Sequence, residues 1–198
     1  MSRQGFQPAQ RLVDLANALR DDPGLPRADL MHLLARHGED QDDLTGAAFS
    51  DDDAQALRGA VIRMSGILAE TDTERAALAL NALLAEHAAV PRLSRHGGHP
   101  WHLHVDRGDN ATWDNWFLAA GALALAQILT EHGRVPWGEC AAPRCRRFYL
   151  GTGPGSPRRY CSSTCASRAR VAAHRRRKQT QPPPPGTPAQ GPRAAHSR

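Results

Sequence analysis

The chain has 198 residues, 40% of them hydrophobic and ten aromatic, with a mean hydropathy of −0.53; this is enough apolar material for a modest core and too little for a membrane protein. The longest apolar run, Trp116 to Leu129, is broken by Gln127 and falls short of the ~20 residues that a bilayer span needs. A net charge of +5 conceals a division, because residues 1–133 carry a net −8 and residues 134–178 a net +11; clustered cations of this kind call for a polyanionic partner.

The first twenty residues contain Arg3, Arg11, Asp14 and Arg20 and lack the leader, apolar stretch and cleavage site of an export signal, so a cytoplasmic location is expected. Between Arg11 and Arg20, Leu12, Leu15, Ala16 and Leu19 recur at helical spacing until Asp21-Asp22-Pro23-Gly24 stops the helix. Pro26 suits a first-turn position, and Leu30, Leu33 and Leu34 define a second helix that ends at Gly38 and pairs with the first. Ser50-Asp51-Asp52-Asp53 caps a third helix with Leu57, Val61, Met64, Ile67 and Leu68 on one face. Thr71-x-x-Glu74 reads as a capping box opening a fourth helix through Leu78, Leu80, Leu83 and Leu84.

From Pro91 to Val105 the period changes to strand alternation, with Leu93, a Gly97-Gly98 turn, Trp101, Leu103 and Val105, which predicts a β-hairpin. His96, His99, His102 and His104 crowd this hairpin. His102 and His104 share a face and could reach one metal or small ligand with Asp106, although an isolated pair of this kind is more commonly solvated. A fifth, mostly apolar helix from about Trp113 to His132 ends at Gly133 and is expected in the middle of the body. No internal repeat is present. The body holds no Gly-rich phosphate loop and no Ser or Cys nucleophile motif, so an enzyme is not expected.

All four cysteines lie in the arrangement Cys140-x4-Cys145-x15-Cys161-x3-Cys165. Two close pairs joined by a Gly- and Pro-rich loop, Gly151 to Pro157, in a chain without an export signal, point to four thiolates around one structural zinc ion and away from disulfides. Four sulfurs leave no open position for a catalytic water. Metal binding would supply on the order of 10 kcal/mol to a segment of about 40 residues that is too small for a core of its own.

After Cys161, the run Ser162 to Lys178 has no Gly or Pro and begins with hydroxyl residues able to cap it, so it should be helical. At about 100° per residue, Cys165, Ala169 and Ala172 share the face toward the zinc, Arg170, His174 and Arg177 lie opposite, and Arg168 and Arg175 form a row between them. With Arg176 and Lys178, these side chains are the candidate nucleic-acid contacts, since Arg pairs bidentately with guanine or phosphate. The plainer reading of Arg175 to Lys178 is a solvated end favoured by the helix dipole. Phe148, Tyr149 and Tyr160 flank the cysteines and either pack under the zinc loop or stack on bases. Residues 179–198, with four prolines in a row, have no helix or strand period and are expected to be disordered.

The stretch Cys140-Ala-Ala-Pro-Arg-Cys145-Arg-Arg-Phe148, then Arg158-Arg-Tyr-Cys161-Ser162, then Cys165 to Arg168 and Ala169 to Arg175, resembles the CGNR zinc finger. In that family the finger follows an ABATE domain of stress-induced transcription regulators. Leu12-Val13-Asp14 with Asn17, Asp29-Leu30, Leu57-Arg58 and Asn81 resemble that domain. The eponymous Cys-Gly-Asn-Arg stands here as Cys165-Ala166-Ser167-Arg168. The resemblance implies DNA binding by the finger.

The expected architecture is mainly α with a small β-hairpin: a helical ABATE-like domain over 1–134, a four-cysteine finger over 136–178 ending in a basic helix, and the tail. The expected function is a zinc-dependent DNA-binding transcription regulator, with RNA still open as partner and an N-terminal domain that senses an unidentified ligand or forms a homodimer. The alternative is a zinc-stabilised protein-interaction module.

Overall fold

The computed structural model describes residues 3–95, 101–108, 111–153 and 157–180. Helix α1 (Arg3–Asp21) begins well before the periodic stretch that announces it and carries Pro8. Helix α2 (Arg27–Arg36) follows, with Pro26 at its N-cap and its stop at Gly38, where φ is +91°. Two short 3-10 turns, Asp42–Leu44 and Gly46–Ala48, lead into α3 (Asp51–Ala69). There the Ser50 hydroxyl accepts from the Asp53 N–H, and the Asp53 carboxylate accepts from the Ser50 N–H.

Helix α4 (Thr73–His87) is capped one residue later than expected. Asp72, not Thr71, accepts the Arg75 N–H at 2.9 Å, because a carboxylate also answers the helix dipole. The hairpin follows as β1 (Arg92–Ser94) and β2 (His102–His104), antiparallel with Leu93 opposite Leu103. Its Gly97-Gly98 turn, with His96 and His99, lies outside the described residues.

Helix α5 (Trp113–His132) is the axis of the body. It packs on α1, α3 and α4, and its Phe117, Leu118, Ala122, Leu125 and Ile128 are buried. Gly133 ends it in the left-handed region at φ +64°, donating its N–H to the Leu129 carbonyl; a side chain there would be strained. Among the described residues no helix is long and apolar enough to cross a membrane.

Beyond α5 lies a second hairpin without a sequence period to mark it: β3 (Trp137–Glu139) pairs antiparallel with β4 (Phe148–Leu150). Three residues per strand are too few to display a period of two. Trp137, Phe148 and Leu150 belong to the same core as α1, α3 and α5. The Trp137 indole donates to the Ile67 carbonyl at 3.0 Å. The change of composition near residue 134 is therefore not a break in packing. The chain then reaches α6 (Ser163–Thr180), which runs past Lys178 into the first residues expected to belong to the tail; residues 181–198 lie outside the described residues. The fold is mainly α with two small β-hairpins.

Candidate metal centre

The four-cysteine segment is attached to the body at the C-terminal ends of α1 and α3. Asn17 on α1 is 4% exposed and grips the edge of β4 twice, its amide donating to the Phe148 carbonyl at 3.1 Å and accepting the Phe148 N–H at 2.7 Å. One turn later the Arg20 guanidinium lies 3.7 Å over the Phe148 ring, pairs with Glu139 and donates to the Arg146 carbonyl. Arg147 pairs with Asp21 at 2.9 Å.

Between β3 and β4 the backbone makes a knuckle. The Cys140 N–H donates to the Arg147 carbonyl and the Cys145 N–H to the Ala142 carbonyl, which brings the first two sulfurs together. Arg144, just before Cys145, sits at φ +62°, a left-handed conformation usually reserved for Gly or Asn. The segment returning to Cys161 is tied by Arg158, whose guanidinium donates to the carbonyls of Leu150, Tyr160 and Cys161. Gly151 passes so close that a Cβ would meet the Pro136 oxygen and the Arg158 Cβ, both at 2.9 Å. Glycine is required there by contact, whatever its backbone angles.

Cys161 precedes α6 and Cys165 lies in its first turn, so the second pair comes from a helix start. The four Sγ atoms all lie within 4.8 Å of one another. Cys145 Sγ and Cys161 Sγ are 3.7 Å apart, and Cys161 Sγ and Cys165 Sγ 3.6 Å. A tetrahedral ion with sulfur bonds of about 2.3 Å needs edges of about 3.8 Å. The donor set and its spacing fit zinc, and the sulfurs are not bonded to one another. Without an ion, burial and then the neighbouring thiols push Cys161 up to about 12, and burial raises Cys145. Cys165 is held down, at about 7, by the Ser162 hydroxyl and then Cys161. A divalent cation reverses this, because it stabilises the thiolates directly.

The aromatics resolve as packing groups. Phe148 is fully buried, Tyr160 packs on the cysteine cluster, and the Tyr149 hydroxyl donates to the Arg158 carbonyl at 2.7 Å. The candidate nucleic-acid residues Arg168, Arg170, His174, Arg175, Arg176, Arg177 and Lys178 are all exposed on α6, and Arg170 donates to the Ser167 hydroxyl. Of the histidines on the first hairpin, His104 is engaged by Asp106 at 2.7 Å, and Asp106 also accepts from Arg92 at 3.0 Å. The side chain of His102 lies outside the described residues. The clamp residues Asn17 and Arg20 carry no sequence signal beyond the resemblance that singled out Asn17, since their partners are more than a hundred positions away.

No curated protein matches the chain. The family model for the CGNR zinc finger matches residues 137–178, which contain all four cysteines and α6 up to Lys178. A second family model, ABATE, described as "Putative stress-induced transcription regulator", matches residues 9–138. These descriptions are of regulator and zinc-finger types, not enzymes. A match over 9–138 spans most of the chain, and the chain therefore belongs to the ABATE family and carries a CGNR zinc finger behind its helical body.

Proposed function

We propose that the protein is a cytoplasmic, zinc-dependent DNA-binding transcription regulator whose helical body senses a ligand or forms a homodimer. One observation carries the reading: the four cysteines gather at the start of an 18-residue helix that contains five arginines, one lysine and no acid. Cys140, Cys145, Cys161 and Cys165 would hold one zinc ion. Its part is structural, because four thiolates complete a tetrahedral shell and fix α6 to the knuckle. The helix then presents Arg168, Arg170, His174, Arg175, Arg176, Arg177 and Lys178 to a duplex, while the acidic body is repelled by phosphate.

If about six phosphates are neutralised, log affinity for duplex DNA falls against log salt with a slope near −5. Replacing Arg175, Arg176 and Arg177 together by Ala flattens that slope by up to about 3. Arg168→Ala, three residues after a zinc ligand, should relax sequence preference more than it changes the slope, provided that zinc is retained. A second reading, a zinc-stabilised interaction module, draws on the burial of Trp137, Phe148 and Leu150 in the body core. It becomes the better account if the triple variant binds DNA as tightly as the parent at every salt concentration.

A further inference from the structure

A cleft of about 940 Å³ opens between α1 and the finger. Gln10, Asp14 and Asn17 form its wall on the body, and six arginines reach it: Arg20, Arg144, Arg146, Arg147, Arg158 and Arg168. Three of the six are engaged within the protein. Arg20 pairs with Glu139, Arg147 with Asp21, and Arg158 binds three backbone carbonyls. The guanidiniums of Arg144, Arg146 and Arg168 are exposed and have no acidic partner among the described residues. The cleft's own acids are occupied, Asp14 by His37 and Gln10 and Asp21 by Arg147. A zinc tetrathiolate with two net negative charges, the two aspartates and Glu139 together still fall one charge short of the six arginines.

Among the arginines of the cleft, Arg144 alone has a left-handed backbone conformation. Its φ of +62° would suit glycine, so the knuckle turn keeps a long cation at a position where it is conformationally disfavoured. From the cleft, the row of Arg168 and Arg175 continues along α6. Seven residues separate them, about 10 Å of helix axis, or roughly three nucleotide steps of duplex rise.

We propose that this cleft seats the sugar–phosphate backbone of DNA, with Arg144, Arg146 and Arg168 on its phosphates, Arg175 continuing the track, and α1 of the body forming one wall. The proposal rests on the reading of the finger as DNA-binding. It adds two contact residues outside the basic helix and makes Asp21 a determinant of affinity, because Asp21 holds Arg147 back from phosphate.

The test uses the full chain with one zinc bound, a mixed-sequence duplex, and fluorescence anisotropy across a salt series. Arg144→Gly with Arg146→Gln relieves backbone strain as it removes charge, so zinc is retained; affinity falls about tenfold per arginine at 0.1 M salt, and the slope becomes shallower by about 0.9 for each. Asp21→Asn frees Arg147 and tightens binding severalfold with a steeper slope. Asp43→Asn, the same charge change at an exposed residue that does not line the cleft, leaves the slope as in the parent. A zinc-loaded double variant with the parent's affinity and slope overturns the cleft, as does an Asp21→Asn protein that behaves like Asp43→Asn. A parent that binds no DNA overturns the functional reading itself; a parent that binds through Arg175 to Arg177 alone overturns only the cleft.

Discussion

Asn17 shows how much one side chain can hold. Its amide satisfies both the N–H and the carbonyl of Phe148, which are otherwise buried without partners. Asn17→Ala should cost about 2 kcal/mol, read as a lower urea midpoint, and should leave zinc content unchanged. His37 offers a pH handle at the joint of α1 and α2. Burial foremost, against the opposing pull of Asp14 at 3.0 Å, holds its pKa below the usual imidazole value. The unfolded chain then takes up the proton more readily, so this contribution to stability is present above about pH 6.5 and is lost as pH falls below it. His37→Gln should flatten the dependence of the urea midpoint on pH between 7 and 5.

Elements differ in what supports them. Helix α6 has little contact with other helices or strands beyond the cysteine cluster, and an isolated helix of 18 residues is marginal in water. The β3–β4 hairpin is held by Trp137, Phe148 and Leu150 in the body core. Zinc removal by a chelator, or Cys161→Ser, should abolish roughly one helix of circular dichroism signal while Trp137 keeps its buried fluorescence. A fluorescence change as large as that of full unfolding would show that the hairpin depends on the metal too. The same contrast explains what sequence reveals. The helices were legible because apolar periods and local caps, such as Ser50 with Asp53, act within a few residues; so was the cysteine cluster, whose spacing is itself local. The β3–β4 hairpin was not, for its strands are short and its stabilising partners lie on α1 and α3.

At the scale of the whole molecule, the finger and the body share a core, and the cleft exists only where they meet. Its arginines come from α1, the knuckle, the segment before Cys161 and α6, so no local motif announces it. A fragment of residues 1–134 loses three large apolar side chains and leaves the Asn17 amide without Phe148, a cost on the order of 5 kcal/mol or more. It should melt well below a fragment of residues 1–152, which keeps the hairpin; equal melting temperatures would mean that the body is complete without it. On the proposed reading, a zinc-held finger turns this basic end into a DNA-binding surface. The most direct test of that reading is a titration of zinc into the metal-free full chain, with binding to a fluorescent duplex recorded at each addition. Binding should rise linearly and saturate at one equivalent of zinc, and Cys161→Ser should stay flat throughout. Equal binding by the metal-free and zinc-loaded chains, or saturation with no bound DNA, would contradict it.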